Sequence, residues 1–144
     1  MASNDVWDVF EYEWNMARLL AHYVAEPVHS GLEWTLQNVV VKGFVLHTRI
    51  LTEILLSSGP RRDDIRLCDL LPNLNSRHVD SLRTAYGDSK TPHSPKWQFD
   101  KLMAHATTHR SDSHDYLVAL QAVWPQIEKV MKDVLVTNPP FKRQ

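Results

Sequence analysis

Apolar residues that return every three or four positions, block after block, are what most limits the folds open to this chain. Val6, Phe10, Trp14, Ala17, Ala21 and Val24 recur in this way and mark one buried face of a helix over about Asn4 to Ala25. Ser3, Asn4 and Asp5 offer caps at its start, and Pro27 stops it. A second helix opens at Ser30-Gly31-Leu32-Glu33, where Ser followed three residues on by Glu has the form of a capping box. It is expected to run to about Ser57 on a stripe of Val40, Phe44, His47, Leu51, Ile54 and Leu55, before Gly59-Pro60 ends it. The run Val39-Val40-Val41 is β-prone, but it keeps the helical spacing and is read as helix.

Residues 58–75 read as irregular, with solvated charge at Arg61-Arg62-Asp63-Asp64 and a short apolar turn over Leu67–Leu71. A short third helix is expected from Ser76 to Tyr86, then Gly87 and a polar loop over 87–94. Ser94-Pro95 starts a fourth helix, with Ser as cap and Pro at the first helical position. Its inner face is Phe99, Leu102, Met103 and Ala106, and Ser111-Asp112-Ser113 interrupts it. The last helix covers about His114 to Val136, where Pro125 predicts a kink or a restart near Val123-Trp124. No window alternates with the turn chemistry of a hairpin. The expected fold is therefore all-α, an antiparallel four- to five-helix bundle. It forms a single domain over residues 1–138, with a flexible tail at 139–144.

Composition supports this class and narrows the function. The 144 residues suit one domain, and 43% hydrophobic with 23% charged residues suits a globular one. A formal net charge of -1 and a pI near 6.7 give no chain-wide attraction to nucleic acid or to an anionic membrane. No apolar run is long enough to span a bilayer, and the acidic, polar opening Met1–Asp5 is unlike a signal peptide, so a cytoplasmic protein is expected. The single cysteine, Cys68, allows neither an intrachain disulfide nor a cysteine-based zinc site, and its apolar neighbours suit a small buried hydrophobe.

Three polar residues fall on apolar arcs. Glu13 lies between Phe10 and Ala17, His47 between Phe44 and Leu51, and Arg110 above Phe99, Met103 and Ala106. Burying such groups is costly unless they pair, so they are expected to meet one another or an acid such as Asp64. The cluster then either fixes helix register or lines a ligand or catalytic pocket.

Several strings together resemble a group of uncharacterised bacterial HEPN-like helical proteins. They are Val41-Lys42-Gly43-Phe44-Val45-Leu46-His47-Thr48-Arg49, then Arg62-Asp63-Asp64-Ile65 with Asp69 beyond. Lys101 to Arg110, containing Ala104-His105-Ala106-Thr107, and a closing helix with Trp124 complete them. The resemblance covers roughly residues 36–135; Ala106 stands where the family has Leu. It implies an antiparallel helical bundle, often dimeric. HEPN-type ribonucleases carry an Arg, four to six intervening residues and then a His, a cation beside a general acid–base at a dimer seam. Arg110-Ser111-Asp112-Ser113-His114 is this chain's counterpart, one residue shorter, and makes Arg110 and His114 the candidate catalytic pair of a ribonuclease or RNA-binding toxin.

A metal is the alternative. His105 and His109 stand four apart on one helix, a spacing that chelates a divalent ion such as Zn or Ni, and His47 would be the third ligand. The segment His105 to Arg110 resembles that of DinB-like metal-binding bundles. The plainer expectation has no cofactor: a module acting through protein association as a homodimer. The first two helices carry more large apolar groups than one bundle needs, Trp7, Trp14 and Trp34 among them, and an exposed strip of that kind marks an interface.

Overall fold

The computed structural model describes residues 4–25, 31–56, 76–104 and 113–137. They form five helices and, among the described residues, no strand, which makes the fold an all-α bundle. The helices are α1 (Asn4–Ala25), α2 (Trp34–Leu56), α3 (Ser76–Tyr86), α4 (Pro95–Ala104) and α5 (Ser113–Thr137). Among the described residues no helix is long and apolar enough to cross a membrane.

The second helix starts later than its sequence suggests. Leu32 and Glu33 are not helical. The Glu33 carbonyl instead accepts the first bond, from the Gln37 N–H at 2.9 Å, while the Gln37 side chain donates to the Leu32 carbonyl at 2.9 Å. Glu33 thus holds the cap position that the Ser30 reading gave to an earlier residue. The buried stripe of α2 is also turned slightly from expectation: Val41, Val45, Thr48 and Thr52 are sealed, whereas Val40 and His47 sit at its edge. The Thr52 hydroxyl donates to the Thr48 carbonyl at 2.6 Å, a bond that lets a polar side chain lie in the core.

The turn from α3 to α4 follows the sequence closely. Gly87 has φ 74°, and its N–H donates to the Arg83 carbonyl at 3.1 Å, closing α3 with a left-handed residue. A Cβ on Gly87 would stand 2.7 Å from that of Ser94. The Asp88 carboxylate accepts from the N–H groups of Lys90 and Thr91, both at 2.8 Å, and these bonds hold its carboxyl below the usual range. Ser94 caps α4: its hydroxyl accepts from the Trp97 N–H at 3.2 Å and its carbonyl from the Gln98 N–H at 3.0 Å, with Pro95 next in the chain. In α5 the expected restart does not occur, and the helix runs unbroken through Pro125. Pro125 and Gln121 are both exposed, so the carbonyl that loses its partner lies on the water side.

The core is a continuous cluster shared by all five helices, with Phe10, Leu51, Leu82, Phe99, Leu120 and Ile127 fully buried. α2 and α5 are its centre, each packing against several neighbours, while α1 lies chiefly along α2. The Trp14 ring of α1 reaches α5 by stacking on Trp124, with centroids 5.6 Å apart, and Phe44 meets Trp124 edge-on at 5.4 Å. α1 and α2 run antiparallel, since Glu13 meets His47 while Leu20 lies over Gly43.

Gly87→Ala is expected to lower stability by about 1–2 kcal/mol or more, from a left-handed backbone added to the Ser94 contact. Gly31→Ala, where a Cβ meets nothing within 4 Å, should not share that loss. Urea unfolding of the two variants checks the contrast.

Candidate functional site

α1 and α2 bring together two of the polar residues singled out in the sequence. The Glu13 carboxylate accepts from His47 Nδ1 at 2.6 Å, with side chains 10% and 12% exposed. A carboxylate can only accept, so the bond places a ring proton on Nδ1 and leaves Nε2 as the ring's other polar atom. The Tyr12 ring stands edge-on to the imidazole, centroids 5.9 Å apart. An imidazole oriented by a carboxylate is the unit from which general bases are built, and equally a way to bury two polar groups at a helix seam.

The other expected members of this group, Arg110 and Asp64, lie outside the described residues, as do His105, His109 and Cys68. His114 is the second residue of α5, and only its backbone is described. Among the described residues no three His, Cys, Asp or Glu side chains are grouped to hold a metal ion.

Two polar clusters escaped the sequence reading. Arg49 of α2 bonds Asp100 of α4 at 3.0 Å and lies 3.7 Å from Glu53, while Lys96 lies 3.5 Å from Asp100 and 3.8 Å from Glu53. Signs alternate around this square, which ties α2 to α4. Beside it the Tyr86 hydroxyl is buried without a partner among the described residues. Burial first, then the Glu53 and Asp100 carboxylates, push it well above the ordinary tyrosine range. The second cluster is a short contact between His78 Nδ1 of α3 and the Asp133 carboxylate of α5. The pairs Arg49/Glu53 and Lys96/Asp100 are legible as same-face neighbours four apart; their meeting across helices is tertiary.

The largest unspent feature is apolar. On α1, Val9, Tyr12, Leu19 and Tyr23 are exposed, and with half-buried Met16 they repeat at spacings of three and four. On α2, Leu36, Val39 and Leu46 are exposed, and with half-buried Gly43 and Ile50 they repeat in the same rhythm. At about 100° per residue the apolar arc of α1 spans about 240°, of which the core takes the half nearest Phe10 and Ala17. The exposed stripes flank the seam made by Leu20 on Gly43 and by Glu13 with His47, so they form one face with that pair beneath it. Trp34 is 75% exposed at one end. Of the three tryptophans expected to mark an interface, Trp34 alone is on the surface; Trp14 is buried and Trp7 packs against the core.

No family model matches the chain, and no curated protein or solved structure matches it either.

Glu13→Ala and His47→Ala are expected to be strongly non-additive in unfolding free energy, with a coupling of about 1–3 kcal/mol for a buried bond to a charged group. A double-mutant cycle in urea measures it. Tyr86 has its own signature. Because folding raises its hydroxyl, its contribution is complete below the unfolded value near 10 and is lost as pH rises beyond it. Tyr86→Phe should therefore match or exceed the parent in thermal midpoint at pH 7 and lose less between pH 9 and pH 11.

Proposed function

We propose that this chain is a helical association module that acts as a homodimer through the face formed by α1 and α2. The observation that carries it is the pair of exposed, evenly repeated apolar stripes on adjoining antiparallel helices. A helix whose apolar arc exceeds what its own fold covers has a second surface to bury. The two stripes have the same length and the same rhythm, so a second hairpin of this kind supplies a matching surface along its whole extent.

Charge argues for a copy of the chain over a polyanion or a membrane. The edge of the face carries Asp8 on α1 and Lys42 and Glu53 on α2, groups of both signs, and the chain as a whole is close to neutral. Nucleic acid or an anionic bilayer calls for a basic surface. The reading also agrees with what the HEPN-like resemblance implies, an antiparallel bundle that is often dimeric.

Light scattering at micromolar concentration is expected to give twice the mass of the chain. Leu19→Arg and Leu46→Arg, each at an exposed position, should raise the dissociation constant at least tenfold, about 1.4 kcal/mol, with the helical circular dichroism unchanged. A monomer in the parent protein would overturn the proposal.

A further inference from the structure

Two ways of joining a pair of hairpins face to face are open to a two-fold axis. An axis along the helices sets α1 against the partner's α2. An axis across them sets α1 antiparallel to the partner's α1, and α2 to the partner's α2. From the order of residues along α1 we infer the second arrangement, with the axis passing beside Asn15 and Met16. This rests on the dimer reading above.

Three exposed residues spaced seven apart, Asp8, Asn15 and His22, line the outer edge of the α1 stripe. They run acid, amide, imidazole. Antiparallel pairing about the middle one lays each Asp8 beside the other copy's His22, twice, and brings the two Asn15 amides together. An isologous interface needs this kind of order, since the same strip must complement itself when reversed.

The stripe itself reads the same way. Reversal about the level between Asn15 and Met16 sets Tyr12 against Leu19 and, within one residue, Val9 against Tyr23, a large group against a smaller one at each level. On α2, reversal about the level between Lys42 and Gly43 sets Val39 against Leu46. The stripe centres, Met16 and Gly43, lie within about one helical turn of a common level, because Leu20 meets Gly43 and Glu13 meets His47. One axis therefore serves both helices. The axis along the helices would instead put two tyrosines in one layer and none in the next, an uneven spacing that close packing resists. Lys42, exposed near the axis, carries its ammonium on a long stem and can turn to water.

Thiol cross-linking in a Cys68→Ser background tests the axis, with light scattering on every sample. Asn15→Cys is expected to link to itself, giving most of the protein as a covalent dimer under a mild oxidant or a short thiol-specific cross-linker. Asp8→Cys and His22→Cys should each link poorly alone and several-fold better when mixed. A dimer in which Asn15→Cys stays unlinked, but links on mixing with Lys42→Cys, would overturn this arrangement and leave the dimer standing. A parent protein that is monomeric would overturn both. If Cys68→Ser does not fold, the same comparison is made with Cys68 retained, against the parent's own cross-linking.

Discussion

The seating of α1 on α2 is the constraint on which the rest of this molecule depends. Among the described residues α1 packs chiefly along α2, and its Trp14 reaches α5 by stacking on Trp124. Leu20 fixes the approach at one level because position 43 has no Cβ, and the Glu13–His47 bond fixes the rotation at another. With both ends of the seam set, Phe10, Trp14 and Ala17 must face the core. The opposite side of the same wide arc must then face out.

The polar pair in that seam contributes specificity more than stability. Two ionisable groups at the edge of a core give up hydration, and an apolar pair of similar volume would offset that loss at least as well. A hydrogen bond at 2.6 Å has a strict geometry that apolar groups lack, so a slip or rotation of α1 would leave an acid or an imidazole buried alone. The square of Arg49, Glu53, Lys96 and Asp100 acts similarly between α2 and α4, though its half-exposed charges are screened and individually weak.

Much of this was legible in the sequence where a local rule decides the structure. Ser94-Pro95 and Gly87 announce their turn because capping, a fixed φ and a left-handed residue are properties of the residues themselves. Periodicity puts Glu13 and His47 on apolar arcs, and the cost of burying them unpaired makes a meeting with one another, with Arg110 or with Asp64 the expectation. The Glu13–His47 bond is present, while Arg110 and Asp64 lie outside the described residues. Rules that compete locally were less reliable. Ser30 to Glu33 has the form of a capping box, yet Gln37 bonds the Leu32 carbonyl and the helix begins at Trp34. Pro125 predicts a kink or a restart; no restart occurs, and the carbonyl that the proline leaves unpaired lies on the exposed side of the helix. Thr48 and Thr52 gave no sign of being core residues, since their hydroxyls look polar until a backbone carbonyl is found for one of them. The partners of Arg49 and His78 depend on which helices meet, and spacing within one helix carries no such information.

The apolar excess in the first two helices could be counted in the sequence but not located there. Counting treats Trp7, Trp14 and Trp34 alike, whereas packing removes two of them from the surface and leaves the third. What remains outside is a stripe in a regular rhythm of three and four on each of two neighbouring helices. Scattered apolar residues on a surface need no cause, because there is too little polar surface to cover a protein. Regular repetition over five positions, on both sides of one seam, is different. It is the pattern of a helix packed on two faces, and the described residues of the chain supply one of them.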